Sequence, residues 1–249
     1  MVSEPTSAAN DRDAISVRLL GAFALRVGAH DVPLPPNAQR LLAYLALEQR
    51  WSPRRATAMA LWSASEPARA AARLRSALWR TTQAVGRVIV AARSHSLRLD
   101  DDVDVDLVRI EHGARRYAER PDLAPEPLDF ELLSADVLPG WTDEWAVVHR
   151  ECFRQLRLRA LESLSAQYRR LGQLRQAMDL ALAAVSTEPL RESAHRRLVE
   201  VHLAEGNVAE AVRQYDVYRQ MLGSQLGLVP SPVMRQLVAP LLSCPARTS

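Results

Sequence analysis

Apolar residues alternate unevenly from Ile15 to Val27, with Val17, Leu19, Phe23, Leu25 and Val27 at odd positions, which predicts strand on either side of a break at Gly21. Residues 28–36 (GAHDVPLPP) add a turn, a short strand and a proline stop. Asn37 reads as a helix cap, and Leu41, Leu42 and Leu45 mark one face of a helix ending near Gln49. Ser52 and Pro53 supply the cap and first residue of a short second helix through Ala56, Met59, Ala60 and Trp62. A longer third helix opens at Ser65-Glu66-Pro67, runs to about Val85 and stops at Gly86. Val88, Ile89 and Val90 then predict a strand, Ser94-His95-Ser96 a turn, and Leu97 and Leu99 the returning strand. Strands, three helices and a hairpin, in that order, make a winged helix-turn-helix, in which the third helix enters the major groove and the hairpin lies beside it along the backbone.

From about Leu107 the pattern is helical to the end, apart from a Pro-rich, partly acidic stretch at 119–129 (ERPDLAPEPLD). Laying Gly172 over Gly206 exposes an internal repeat of 34 residues, with Leu164 on Leu198, Ala177 on Ala211, Ala181 on Tyr215 and Ala184 on Tyr218. That period belongs to tetratricopeptide-like hairpins: small residues let helices approach, glycines allow the turns, and Pro189 ends a helix. Helices at 107–118, 141–160 and about 231–242 supply the remaining pairs. Residues 1–13 are polar and aperiodic, and are expected to be disordered.

Charge sharpens this division. Residues 14–99 hold thirteen arginines against Asp31, Glu48 and Glu66, whereas the rest of the 249-residue chain sets nineteen arginines against twenty-six acids. A cationic module of this kind concentrates polyanions, of which the phosphate backbone is the commonest. All 32 cations are arginine; without lysine there is no Walker-type phosphate loop, protein-kinase site, Schiff base or Ser-x-x-Lys nucleophile. The six histidines form no His-Glu-x-x-His, and neither Gly-x-Ser-x-Gly nor Gly-x-Gly-x-x-Gly occurs. Cys152 and Cys244 read as reduced thiols, and the Asp100–Asp106 cluster, lacking a cation loop's glycine and terminal glutamate, reads as a charged strand and linker. The expectation is a cytoplasmic, non-enzymatic protein with no cofactor or metal, no signal peptide and no membrane span.

On a wheel with Leu74 at zero, Ala71, Leu78 and Val85 fall within roughly 60° of it as the expected buried stripe. Arg69, Ala72, Ser76, Arg80 and Gln83 cluster opposite, Arg73 flanks them, and Arg75 and Arg87 lie nearer the edges. A solvent-facing stripe ordinarily mixes acids with bases; between Pro67 and Gly86 this helix has no acid, so its outer face is suited to an anion. The expected DNA-binding residues are Arg69, Arg73, Ser76, Arg80 and Gln83, with Arg75, Arg54 and Arg55 of the preceding helix, and Arg93 of the hairpin. Trp79 is expected to pack at the groove margin, and Trp141, Trp145 and Arg150 at the junction of the helical domain.

The segments VRLLGAFALRV, PLPPNAQRLLAYLAL, the LW before ARAAARLRSALWR, LPGWTDEW, and EPLRESAHRRLVEVHLAEGNVAEAVRQYDVYRQMLGSQLGLVPSP together resemble the Streptomyces antibiotic regulatory protein family, from Val17 to Pro232. The second half resembles its bacterial transcriptional activator domain. The resemblance implies an OmpR-like winged helix joined to that domain, in activators of secondary-metabolite gene clusters. It further implies side-by-side protomers on direct repeats in double-stranded promoter DNA, with RNA polymerase holoenzyme recruited there. Larger relatives carry an ATPase module after the second domain, so a chain stopping at Ser249 resembles the small type. Two positions depart from the pattern. Thr81-Thr82 stands where the family has leucine-arginine, removing a core residue and a phosphate contact, and His95-Ser96 replaces a glycine-tyrosine step in the wing.

The expected fold is thus two domains: an α+β winged helix-turn-helix at 14–103 and an all-α tetratricopeptide-like domain at 104–245, followed by a tail at 246–249. The alternative function is a tetratricopeptide-type adaptor without specific DNA binding, a concave repeat surface being able to bind peptides.

Overall fold

The computed structural model describes residues 14–120 and 129–242. The expected disordered N-terminus, Cys244, the tail and most of the Pro-rich stretch lie outside the described residues. Those described divide into two compact units: a first of residues 14–110 and 129–153, and a second of residues 111–120 and 154–242.

In the first unit, strands β1 (Ile15–Arg18), β2 (Ala24–Val27) and β3 (His30–Asp31) precede helix α1 (Pro36–Glu48). Strand β4 (Ser52–Pro53), helix α2 (Arg54–Leu61) and helix α3 (Pro67–Val85) come next, and then β5 (Val90–Arg93), β6 (Ser96–Leu99) and β7 (Val103–Val105). One sheet has the order β3-β2-β1-β7, with β7 parallel to β1; the other has the order β4-β6-β5. Gly21, at φ +79°, makes the turn between β1 and β2 in a conformation that costs other residues dearly. Leu41, Leu42 and Leu45 of α1 are fully buried, each contributing about 1.5–3 kcal/mol.

Several local expectations shift. Asn37 lies inside α1 rather than capping it, because Pro35 and Pro36 start the helix, and its Oδ1 accepts from Trp62 Nε1 at 3.2 Å. Ser52 and Pro53 pair with β6, so that Pro53 rather than Ser52 stands at the N-cap of α2 and Arg54 is its first residue. The hairpin begins at Val90, leaving Val88 exposed. On α3 the buried line is Ala70, Leu74, Ala77 and Thr81, while Ala71, Leu78 and Val85 are half-buried at its margin. Ala70, Ala77 and Thr81 leave room for α1 and α2 around Leu74, and Leu78 and Val85 sit at the margin. Thr81 keeps its place in the core by donating to the Ala77 carbonyl at 3.0 Å.

Asp106 fastens β1 to helix α4 (Asp106–Glu119), which it opens. Its carboxylate accepts from the backbone N–H groups of Leu19 (2.8 Å), Leu20 (3.1 Å) and Leu107 (2.7 Å). After the short helix α5 (Phe130–Ser134), Val137 bridges Leu20, and the chain enters helix α6 (Glu144–Arg170). Trp141 lies 6.0 Å from Phe23, Trp145 lies 5.5 Å from Tyr44, and Arg150 donates to the carbonyls of Val137, Leu138 and Trp141. These residues, expected at the junction of the helical domain, therefore pack within the first unit.

The second unit continues with α7 (Leu174–Thr187), α8 (Glu192–Ala204), α9 (Val208–Leu226) and α10 (Pro232–Leu242). All four residue pairs matched at the 34-residue offset are buried, and Gly172 and Gly206 both adopt positive φ. The segment EPLRES works as a fastening between helices. Glu188 accepts from Arg154, Arg191 and Ser193 both donate to Glu162, and Glu192 receives the backbone N–H and hydroxyl of Ser231 ahead of α10. Within the same knot, buried His195 donates from Nε2 to the Pro189 carbonyl and accepts at Nδ1 from Gln214. Tyr218 stacks on that imidazole at 4.6 Å; burial and the nearby Glu192 push its phenol up to about 12.

Candidate nucleic-acid interface

The candidate residues of the first unit come from three elements, α2, α3 and β5. Along α3, Arg69, Ala72, Ser76, Arg80 and Gln83 are all exposed, forming one outward line on the side away from Leu74 and Ala77. This arises from a 3.6-residue period whose inner positions are committed to α1 and α2. Arg75 is exposed beside that line. Arg73 is half-buried, with Nη1 donating to Ser65 Oγ at 2.9 Å, so one edge of its guanidinium is held by the loop that enters the helix.

At the start of α2, Arg55 is exposed and Arg54 half-buried, and the Arg54 backbone N–H donates to the His95 carbonyl at 2.7 Å. That bond and the β4–β6 pairing join the beginning of α2 to the hairpin turn. Arg54, Arg55, Arg75 and His95 rim an open groove of about 700 Å³ floored by Ala58, Met59, Ala71 and Leu74. Among the described residues, Arg54, Arg55, Arg69 and Arg75 meet no carboxylate within ion-pair distance, in contrast to Arg26 with Asp31, Arg40 with Asp143 and Arg50 with Glu48. Guanidiniums without internal partners attract an external anion at little exchange cost.

Arg93 is exposed at the end of β5 and lies 4.2 Å from the centroid of the Trp51 ring. The structure therefore groups Arg54, Arg55 and Arg75 around one groove, places Arg69, Ser76, Arg80 and Gln83 on one helix line, and puts Arg93 on the second sheet. Trp79 is 56% exposed, with Arg80 at 5.1 Å from its ring, and so does not pack into the unit. Sequence reasoning does not single out Trp51, and marks His95 only as a turn residue and a departure in the wing, not as part of this surface. Both reach this surface through strand pairings between residues more than forty positions apart, which local periodicity does not encode. Among the described residues no group of histidines, cysteines and carboxylates could hold a metal ion, and no helix is long and apolar enough to cross a membrane.

The family model for the bacterial transcriptional activator domain matches residues 103–242. No curated protein matches the sequence. Among solved structures the chain is similar to Mycobacterium tuberculosis EmbR in complex with low affinity phosphopeptide, at 22% identity and a TM-score of 0.71. The likeness covers 92% of this chain and 65% of that one, so the chain spans slightly under two thirds of that protein's length. At such identity the likeness concerns the fold: a mostly helical chain with a small N-terminal β region. The family match extends over more than half of the sequence. The chain therefore belongs to the bacterial transcriptional activator domain family.

Proposed function

We propose that the first unit is an OmpR-like winged helix that binds promoter DNA through α3, and that the chain activates transcription of a secondary-metabolite gene cluster. The observation that carries this reading is the exposed, acid-free line of α3, whose Arg69 and Arg80 have no carboxylate partner among the described residues. Guanidinium groups bind phosphate and guanine bidentately, and Gln83 has the donor–acceptor pair that adenine requires. Arg54, Arg55 and Arg75 take backbone phosphates at the groove between α2 and α3, with Arg93 adding a contact from the hairpin.

In this reading nothing is catalysed. Two protomers lie side by side on direct repeats, and the helical unit, in the manner of tetratricopeptide repeats, offers contacts to RNA polymerase holoenzyme. Weak protein contacts suffice when DNA holds both partners at high effective concentration.

The test is a footprint on the promoters beside its gene, followed by run-off transcription with purified polymerase. Protected direct repeats and increased transcript are expected. A chain that protects no promoter at low salt, while remaining folded, would overturn the proposal.

A further inference from the structure

The outer face of the second sheet carries an arrangement that neither the repeat pattern nor the family match accounts for. In the β5–β6 register Arg93 lies opposite Ser96 and Ala91 opposite Arg98, so the two arginines are diagonal neighbours on one face. Ser52 pairs with Leu97, which sets Trp51 beside Arg98 on that same face. The other face holds Ser52, Val90, Leu97 and Leu99, all buried. Trp51 is thus fixed through its neighbour's strand pairing, with Arg93 at 4.2 Å and Arg98 at 5.2 Å from its ring centroid.

The two guanidiniums differ in what else holds them. Arg98 Nη2 donates to Asp101 at 2.5 Å, which neutralises it in place. Arg93 has no side-chain hydrogen bond or ion pair among the described residues; its guanidinium rests on the indole alone. A ring face restrains a guanidinium without consuming its N–H donors, so the group is ordered in advance while its hydrogen-bonding capacity stays available to an anion. A free arginine loses several rotamers on meeting a phosphate, and prior stacking reduces that loss.

We propose that Trp51 is a positioning residue for DNA binding: it presets Arg93, which meets a backbone phosphate beside the groove occupied by α3. The inference rests on the DNA-binding function proposed for the first unit, and the experiment separates the two. A labelled duplex enriched from a random-sequence library by the full-length chain is titrated at several salt concentrations with wild type, Arg93→Ala, Trp51→Leu, Trp51→Phe and the Arg93→Ala/Trp51→Leu double variant.

Arg93→Ala is expected to weaken binding and to lower the slope of log affinity against log salt by about one. Trp51→Leu is expected to weaken binding about two- to fivefold, the range of an exposed cation–π contact, with an unchanged slope because the phosphate is still met. Trp51→Phe restores most of the affinity, and Trp51→Leu adds nothing once Arg93 is alanine. Thermal unfolding verifies that each variant is folded; should Trp51→Leu fail to fold, Trp51→Phe and Trp51→Tyr, graded in ring strength, replace it. Wild-type affinity in Trp51→Leu, or an equal loss in the Arg93→Ala background, would overturn the role of Trp51 alone. Failure of the chain to enrich any duplex would overturn the DNA-binding function and this inference with it.

Discussion

Single side chains already divide into those that hold the unit together and those left for a partner. Arg69 and Arg80 belong to the second group, and their joint replacement by alanine is expected to lower the salt slope of DNA affinity by about two while leaving the unfolding temperature unchanged. Arg73→Ala is expected to change that slope less than Arg80→Ala, because Ser65 already engages one of its nitrogens. Titration by fluorescence anisotropy over a salt series checks both; an Arg73 effect equal to that of Arg80 would show that the bond to Ser65 is given up on DNA. Asp106 belongs to the first group. Burial drives its carboxyl above the ordinary range, against three backbone N–H donors that pull it down. Asp106→Ala orphans those donors, and urea unfolding is expected to report a loss of about 3 kcal/mol.

Among the elements, α3 is legible in the sequence at its ends and on its outer face, because Pro67, Gly86 and the absence of acids are local signals. Its inner face is not. A wheel weighted by hydrophobicity selects Ala71, Leu78 and Val85, whereas close packing selects Ala70, Ala77 and Thr81, whose virtue is small volume. The same limit hides the pairing of Ser52–Pro53 with β6 and of β7 with β1, since a two- or three-residue strand takes its identity from a distant partner. Neither does periodicity announce that residues 129–153 return to the first unit, where Trp141 and Trp145 pack. The 34-residue offset, by contrast, transfers directly into matched buried positions, since each hairpin repeats one local packing problem. Ala181 is fully buried where its counterpart Tyr215 fills a larger space. Ala181→Leu is therefore expected to destabilise by about 1–3 kcal/mol through overpacking, measurable as a lower urea midpoint at unchanged slope.

For the molecule as a whole, the two buried imidazoles are expected to make stability fall on mild acidification, while the raised carboxyls of Asp106 and Glu111 act in the opposite sense. Burial lowers the imidazole of His149 in the first unit and of His195 in the second. Each stays neutral in the folded chain where the unfolded chain takes up a proton. Their contribution is therefore complete above the unfolded value of about 6.5 and is lost progressively as pH falls through the lower folded values. Melting at pH 7.5 and pH 5.5 checks the sign; His195→Gln should flatten part of the difference, and a chain more stable at the lower pH would contradict it. The fastening around EPLRES has a wider meaning. Its residues serve carpentry in the helical half: Glu188, Arg191, Glu192 and Ser193 all point at other helices or at Ser231. Under the proposed function, addressing is written elsewhere, along a few outward positions of one helix. Because Arg69, Ser76, Arg80 and Gln83 are all exposed, an engineer who exchanges them to redirect the proposed DNA contacts should inherit an intact scaffold.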